Sequence, residues 1–340
     1  MSETTSIVIL DGYTINPGDN PWTPVENLGT CAIYDRTPPE LTVERAAQAD
    51  IVLTSKVKLD SVILNALPKL RYISLLATGY NNIDVAAAGR LGIPVSNVPA
   101  YSTESVAQTA FALLLELAVQ VGVHDAAVKA GEWTRCPDHS FWKKQITELD
   151  GLTLGIVGYG TIGRAVGRIG DAFGMRIIAH APRIPREAGP VPVRFVGLEE
   201  LFSAADVVSL NCPQTSENTG FVNSRLLGMM RPGAFLINVA RGGLVNEADL
   251  AQALHTGRIA GAGLDVVAHE PMLADNPLFS APNCVFTPHI AWASLAARRR
   301  LMNIVAANVA SYLGGAPSNV VNGQYLVIPA GRFANGRGPR

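Results

Sequence analysis

The chain has 340 residues, of which 48% are hydrophobic and only 16% charged, and its 27 basic side chains nearly balance its 28 acidic ones. This length predicts two domains at roughly 150 residues each, and the composition is typical of an α/β protein with buried parallel strands. The near-zero net charge and the short apolar runs exclude a nucleic-acid-binding surface and a membrane span of about 20 apolar residues.

The start of the chain, residues 1–6, has neither the basic nor the apolar region of a secretory signal, so we expect a cytoplasmic protein. Four cysteines are widely spaced, without a CxxC pair or a Cys/His cluster, which predicts free thiols and no metal site. The Gly- and Arg-rich residues 329–340 predict a disordered tail.

Short β-branched segments alternate with helical patterns along the chain, which predicts parallel sheets joined by crossover helices. A helix at 102–120 is expected to begin the second domain. A helix at 294–313, stopped by Gly314 and Gly315, is expected to return to the first domain. The predicted strands are 7–10, 51–54, 72–75, 152–157, 176–179, 207–210, 235–238, 263–267 and 285–287.

A glycine-rich turn, Gly158-Tyr-Gly160-Thr-Ile-Gly163, directly follows the apolar strand 152–157 and opens a helical pattern. In a Rossmann domain the first glycine permits a tight turn, the second lets the backbone approach a pyrophosphate, and the third allows close helix packing. The amino terminus of the following helix favours phosphate. This context predicts dinucleotide binding.

The strand 176–179 is followed by His180-Ala181-Pro182-Arg183, with no acidic residue to accept the ribose 2′-hydroxyl of NAD. Arg183, or Arg186, is available to pair with a 2′-phosphate. We therefore expect NADP(H) to be favoured over NAD(H). The alternative is that Arg183 is a solvated loop residue.

Arg241, Glu270 and His289 each follow a predicted strand of one sheet. Parallel strands place their carboxyl ends at one edge, where such sheets bind ligands. Reduction of a 2-keto acid requires a cation for the carboxylate, a proton donor for the carbonyl oxygen, and a group that keeps this donor charged. His269 is an alternative to His289, but His289 ends an apolar strand at the sheet edge. The paired glycines after Arg241 indicate a close backbone approach.

Six motifs extend this pattern over most of the chain. They are ATGYNNID at 77–84, NVPAYSTESVA at 97–107, ARGG at 240–243, LDV at 264–266, HEP at 269–271 and TPH at 287–289. From residue 7 to about 321 the chain resembles the D-isomer-specific 2-hydroxyacid dehydrogenases. The resemblance implies an α/β protein of two doubly wound parallel-sheet domains. A Rossmann cofactor domain (102–294) is inserted in a flavodoxin-like substrate domain (1–101 and 295–328).

The resemblance also implies roles for individual residues. Arg241 binds the substrate carboxylate, His289 is the acid/base, and Glu270 hydrogen-bonds the histidine. Backbone N–H groups around Thr78 and Gly79 bind the carboxylate. Homodimers form through the cofactor domain, and no metal is required. Lys56 and Trp292 are further implied contacts of the substrate. Asp265 is implied to hold the nicotinamide carboxamide of the cofactor. The other implied cofactor contacts are Val106, Gly158, Gly160, Thr161, Ile162, Gly163, Ala181, Arg183, Cys212, Pro213, Ala240 and His289.

Segments 11–22, 34–37, 55–57 and 290–294 resemble the branch that reduces hydroxypyruvate to D-glycerate, and glyoxylate to glycolate. Trp292 would narrow the pocket beside His289, or else is a core residue. Two alternatives stay open. One is another specificity of the family, of the D-lactate or phosphoglycerate type; the other is a nicotinamide-sensing corepressor, which would keep the same residues without turnover.

Overall fold

The computed structural model describes residues 4–184 and 189–326. The chain divides into two compact units, Met1–Ser102 with Ala293–Arg340, and Thr103–Trp292. The expected boundaries lie one residue before the first junction and two residues after the second. The expected tail at 329–340 and Arg186 lie outside the described residues.

Strands and helices alternate in the described chain, as the pattern of β-branched and helical segments predicts. The strands are β1 Ser6–Ile9, β2 Thr30–Ile33, β3 Ile51–Thr54, β4 Tyr72–Leu75, β5 Val95–Ser96, β6 Thr153–Val157, β7 Arg176–His180, β8 Val193–Phe195, β9 Val207–Leu210, β10 Phe235–Asn238, β11 Gly261–Leu264 and β12 Cys284–Phe286. The helices are α1 Thr23–Glu26, α2 Thr42–Ala46, α3 Ser61–Asn65, α4 Val85–Arg90, α5 Thr103–Val119, α6 Val121–Lys129, α7 Thr161–Ala172, α8 Leu198–Ala204, α9 Ser224–Met229, α10 Glu247–His255 and α11 Leu295–Leu313.

The first unit contains a parallel sheet with the strand order β2-β1-β3-β4-β5. This is the flavodoxin-like order, so the expectation for this unit is confirmed. Its central strands β3 and β4 are buried on both faces. Polar side chains begin several of its helices: Asp60 caps α3, Asp84 caps α4 and Ser294 caps α11 by accepting first-turn N–H groups.

The second unit contains a parallel sheet with the order β12-β11-β10-β9-β6-β7-β8. From β8 inward this is the Rossmann order, with β12 added at the far edge. Side chains alternate between the two faces of the sheet. Leu154 and Ile156, on β6, pack in the core between the sheet and helices α5 and α7. Val208 on β9 and Leu236 on β10 pack on the other face, in the core formed with α8, α9 and α10. The predicted α/β class is therefore confirmed for both units.

Three short strands were not predicted, and their surroundings explain why. Residues of β2 and β8 are mostly exposed or half-buried because both strands lie at sheet edges, and β5 has only two residues. None therefore requires a continuous apolar run. The strand predicted at 263–267 instead ends at Leu264, and helix α5 ends at Val119 because Gln120 has a left-handed φ of 56°.

No single helix in the part of the chain that the structure describes is long and apolar enough to cross a bilayer. The pair α5 and α6 reaches the required length and composition only together, and it is bent by 56° at the break.

Candidate active site

The glycine-rich turn connects β6 to α7. Gly158 has a φ of +93°, and a Cβ atom on it would lie 2.7 Å from the main-chain nitrogen of Cys212. A Cβ atom on Gly163 would overlap the carbonyl oxygen of Gly158. Both positions therefore require glycine, the first for its conformation and the second for close packing of the helix.

Gly160 differs from its neighbours in this turn because no atom lies within 4 Å of the position that its Cβ would occupy. It is the N-cap of α7, and no side chain caps the helix there. Open space next to a helix amino terminus is where a Rossmann turn receives the pyrophosphate of a dinucleotide. The residues of this turn therefore fit the pyrophosphate of a dinucleotide.

The end of β7 is the place where such domains recognise the adenosine ribose. The ring of His180 is directed to the carbonyl oxygen of Val196 at 3.1 Å. Ala181 is half-buried and Arg183 is exposed. Among the described residues, no carboxylate forms an ion pair with Arg183.

The three residues expected to carry the chemistry follow neighbouring strands. In the ladder, Asn238 lies opposite Leu264, and Leu264 lies opposite Phe286, so β10, β11 and β12 end side by side. The loops that carry Arg241, Glu270 and His289 therefore leave the sheet at one edge, as the sequence predicts for parallel strands.

His289 and Glu270 are in direct contact. Nδ1 of the imidazole lies 2.5 Å from Oε2 of the carboxylate, and the two side chains are 26% and 33% exposed. The ring of His269 is instead directed to the carbonyl oxygen of Pro271 at 3.0 Å. Because Nδ1 of His289 faces Glu270, Nε2 is the ring nitrogen left for proton transfer.

Arg241 is exposed, and its Nη1 donates to the carbonyl oxygen of Ala240 at 2.7 Å. The loop is held by Asn238, which is 1% exposed. The Asn238 amide donates to the carbonyl oxygen of Arg241 at 2.9 Å and accepts the N–H of Ala240 at 3.1 Å. Sequence reasoning missed Asn238, although a polar residue at the end of an apolar strand is a usable signal.

The loops of Arg241 and Glu270 also contact each other. A Cβ atom on Gly242 would overlap the main chain of Val267, so the expected close backbone approach is confirmed and its partner is identified. The carboxylate of Glu247, in the first turn of α10, accepts the N–H of Ala268 at 2.7 Å. The segment leading to Glu270 is therefore fixed from two sides.

The other expected site residues lie on both units, and their contacts with substrate or cofactor stay predictions. Asp11 accepts the N–H groups of Ser55 and Lys56 at 2.8 and 2.6 Å and so holds the loop after β3. In the first unit, Thr78 is exposed and Gly79 is half-buried, and both follow β4. In the second unit, Val106 is buried on α5, Asp265 is buried after β11, and Trp292 is half-buried after β12. The other residues of the second unit are Thr161 and Ile162 at the start of α7, Cys212 and Pro213 after β9, and Ala240 after β10.

Within the described ranges, no group of three or more His, Cys, Asp or Glu side chains lies close enough to hold a metal ion. Burial raises the pKa of Cys212, which lies beside the glycine turn. Its thiol is therefore kept protonated.

Comparisons with known proteins agree with this geometry. Residues 111–291 match the family model described as "D-isomer specific 2-hydroxyacid dehydrogenase, NAD binding domain". A hydroxypyruvate reductase from Blautia hydrogenotrophica is 46% identical over 93% of this chain and 99% of its own length. A glycerate dehydrogenase from Methylorubrum extorquens is 37% identical over 83% of this chain and 88% of its own.

A solved structure has the same fold. The NADPH-dependent glyoxylate/hydroxypyruvate reductase from Sinorhizobium meliloti, in complex with NADP and malonate, aligns with a TM-score of 0.78 and 30% identity. The alignment covers 92% of this chain and 94% of that one.

We predict that Gly242→Ala lowers the free energy of unfolding by about 3 kcal/mol, because the added methyl group meets main-chain atoms of Val267 and Ala268. Chemical denaturation monitored by circular dichroism measures the change. Gly228→Ala is the matched control. Gly228 lies inside α9 with open space around it, so the same methyl group should raise stability by about 0.5 kcal/mol. Equal changes in the free energy of unfolding for the two substitutions would contradict the close approach of Gly242 to the main chain of Val267.

Proposed function

The chain belongs to the D-isomer-specific 2-hydroxyacid dehydrogenase family, and from this premise we propose that it reduces hydroxypyruvate to D-glycerate, and glyoxylate to glycolate. The observation that carries the proposal is the 2.5 Å contact between His289 and Glu270 at the edge of a dinucleotide-binding sheet. The names of the relatives from Blautia and Methylorubrum, at 46% and 37% identity, support these substrates.

The reaction requires a hydride at C2 and a proton at the carbonyl oxygen. A bound reduced nicotinamide supplies the hydride. His289 donates the proton from Nε2, because its Nδ1 faces Glu270. Arg241 binds the substrate carboxylate with its charged fork and polarises the ketone. In the direction of oxidation, the same imidazole takes the proton from the hydroxyl group.

Glu270 keeps His289 ready for this role. An ionised carboxylate in contact with an imidazole favours the protonated ring, which is the form that donates a proton. One carboxylate oxygen is also 3.4 Å from the main-chain N–H of Val267. Glu270 therefore orients the imidazole through Nδ1 and is itself held near the main chain of Val267.

A single panel of assays tests the proposal. Hydroxypyruvate, glyoxylate and pyruvate are each offered with NADH and with NADPH, and loss of reduced-nicotinamide absorbance is followed. We expect the highest kcat/KM with hydroxypyruvate. Faster turnover of pyruvate would favour a D-lactate specificity, and negligible turnover of all three would instead favour a nicotinamide-binding protein without catalysis.

We also propose that the chain prefers NADPH to NADH. No acid that would repel a 2′-phosphate stands at residues 181–184, directly after β7, and the exposed Arg183 could pair with that phosphate. The NADP complex of the Sinorhizobium relative supports this preference.

Arg183→Ala should raise the KM for NADPH about 10- to 100-fold, since a charge-assisted contact with phosphate is lost, while the KM for NADH stays unchanged. Steady-state kinetics with each cofactor measures the split. Arg194→Ala is the control, because Arg194 lies on the neighbouring β8 and pairs with Glu200 at 2.5 Å. If both cofactors weaken equally in Arg183→Ala, the assignment is wrong.

We propose that two copies associate through the second unit. Several large apolar side chains between residues 119 and 146 are exposed, including Trp142 at 68% and Val121 at 61%. Monomeric proteins seldom leave such side chains clustered in water.

In light scattering coupled to size exclusion, the protein should therefore have twice the mass of one chain, and Trp142→Glu should halve this mass. Phe279→Glu is the control, because Phe279 is comparably exposed, at 60%, outside this stretch. A monomeric parent protein would refute the association.

Glu270→Gln should shift the reduction profile to lower pH, because the charge that favours the imidazolium ion is lost. At neutral pH, kcat should fall about 10- to 100-fold. The pH dependence of kcat for hydroxypyruvate reduction measures both effects. His269→Gln, next to Glu270 in the chain, should leave the profile unchanged. An unmoved profile in Glu270→Gln would exclude the proposed role.

A further inference from the structure

Asp265 directly follows β11, and its side chain is only 2% exposed. A carboxylate buried in this way is costly unless donors surround it. The Thr287 hydroxyl donates to Oδ1 at 2.6 Å, and the Ile290 N–H donates to the same oxygen at 2.9 Å. The Ala291 N–H donates to Oδ2 at 3.0 Å. One short segment therefore supplies all three of these hydrogen bonds.

The donors lie on both sides of His289 in the chain. Thr287 precedes it by two residues, and Ile290 and Ala291 follow it directly. The main-chain N–H of His289 itself donates to the carbonyl oxygen of Asp265 at 2.8 Å. The path of the backbone before and after the imidazole is thus tied to one residue.

The backbone of His289 needs such support. Its φ is +55°, in the left-handed region that residues other than glycine seldom adopt. A conformation of this kind persists only where the surrounding structure determines it. It also decides where the imidazole points, and therefore whether Nδ1 meets Oε2 of Glu270.

Burial raises the pKa of the Asp265 carboxyl, and hydrogen bonds from Thr287, Ala291 and Ile290 oppose that rise. The nearby charge of His289 opposes it as well. The turn that Asp265 holds therefore favours the ionised form of its carboxyl group.

A different role for Asp265 follows from the family resemblance, namely acceptance of a hydrogen bond from the nicotinamide carboxamide. A carboxylate has about four acceptor positions. The segment 287–291 already occupies three of them. The two roles make different predictions for kinetics and for cofactor affinity.

We infer that Asp265 is a positioning residue for His289: its buried carboxylate holds the turn 287–291 so that the imidazole meets Glu270 and presents Nε2 for proton transfer. The effect expected on kcat rests on the proposed function. The effect expected on the conformation of the turn rests only on the hydrogen bonds of Asp265.

Asp265→Asn tests it. The amide keeps the size of the side chain, but its NH₂ group cannot accept an N–H, so part of the turn loses its partner. We expect kcat for hydroxypyruvate reduction to fall about 100-fold, as misplacement of a catalytic group by about 1 Å can cause. The Kd for NADPH, from a fluorescence titration, and the KM for hydroxypyruvate should stay near their wild-type values.

Asp206→Asn is the matched control. Asp206 also accepts a main-chain N–H, from Thr153 at 2.8 Å, and it pairs with Arg231 at 2.9 Å. It directly precedes β9, at the opposite end of the strands from the turn. Its substitution removes a similar carboxylate from the same unit and should leave kcat unchanged.

Thr287 provides a second test if Asp265→Asn fails to fold. Thr287→Val removes one hydroxyl donor without changing the shape of the side chain, and kcat should fall about fivefold at constant Kd for NADPH. Thr287→Ser restores the hydroxyl and should restore kcat. Equal rates for the valine and serine variants would overturn the inference.

Two further outcomes would also overturn it. Asp265→Asn with unchanged kcat and a raised Kd for NADPH would assign the residue to the cofactor. A crystal structure of Asp265→Asn, or of Thr287→Val, with His289 still at its left-handed φ and still in contact with Glu270 would show that Asp265 does not hold the turn. This structural result is independent of turnover, so a wild-type protein inactive on all three keto acids would refute the proposed function alone.

Discussion

The parallel pairing of β10, β11 and β12 constrains everything at the carboxyl edge of the larger sheet. Asn238, Leu264 and Phe286 lie side by side in the ladder, so the loops that follow them leave the sheet at neighbouring points. Loops this close compete for space. Because Gly242 has no Cβ atom, the loop after β10 can lie directly against the main chain of Val267 in the loop after β11.

The polar residues that connect these loops are mostly buried, and each bonds main-chain groups. Asn238 bonds its own loop, Asp265 bonds the turn that carries His289, and Glu247 bonds the segment before Glu270. Main-chain partners determine the path of the backbone, whereas partners between exposed side chains are readily exchanged for water. The contact between His289 and Glu270 is therefore oriented by residues outside the pair.

Local patterns were sufficient to predict the central strands and the glycine turn. β3, β4, β6 and β9 are mostly apolar, and every residue in them is buried, because both faces of each strand are covered. The exposed residues of β2 carry no comparable pattern, since only pairing with β1 makes them a strand.

For the candidate site, the sequence likewise predicted which residues follow the strands, but not the hydrogen bonds that hold them. Residues that follow strands indicated Arg241, Glu270 and His289. The part played by Asp265 was not readable, because its hydroxyl donor lies 22 residues further along the chain. Position after a strand favoured His289 over His269, and the distances add the partner of each ring: a carboxylate for His289 and a carbonyl oxygen for His269.

The interlocked loops also bear on how proteins of this architecture diversify. Substitutions inside the hydrogen-bonded turn disturb the imidazole, so they are poor starting points for a new substrate range. Trp292 comes directly after Ala291, the last residue that the Asp265 side chain binds, and it is half-buried. Trp292 is also the residue that the sequence predicts to narrow the substrate pocket. Mutational libraries that test this prediction and seek altered selectivity are thus better centred on position 292 than on the residues that hold the turn of His289.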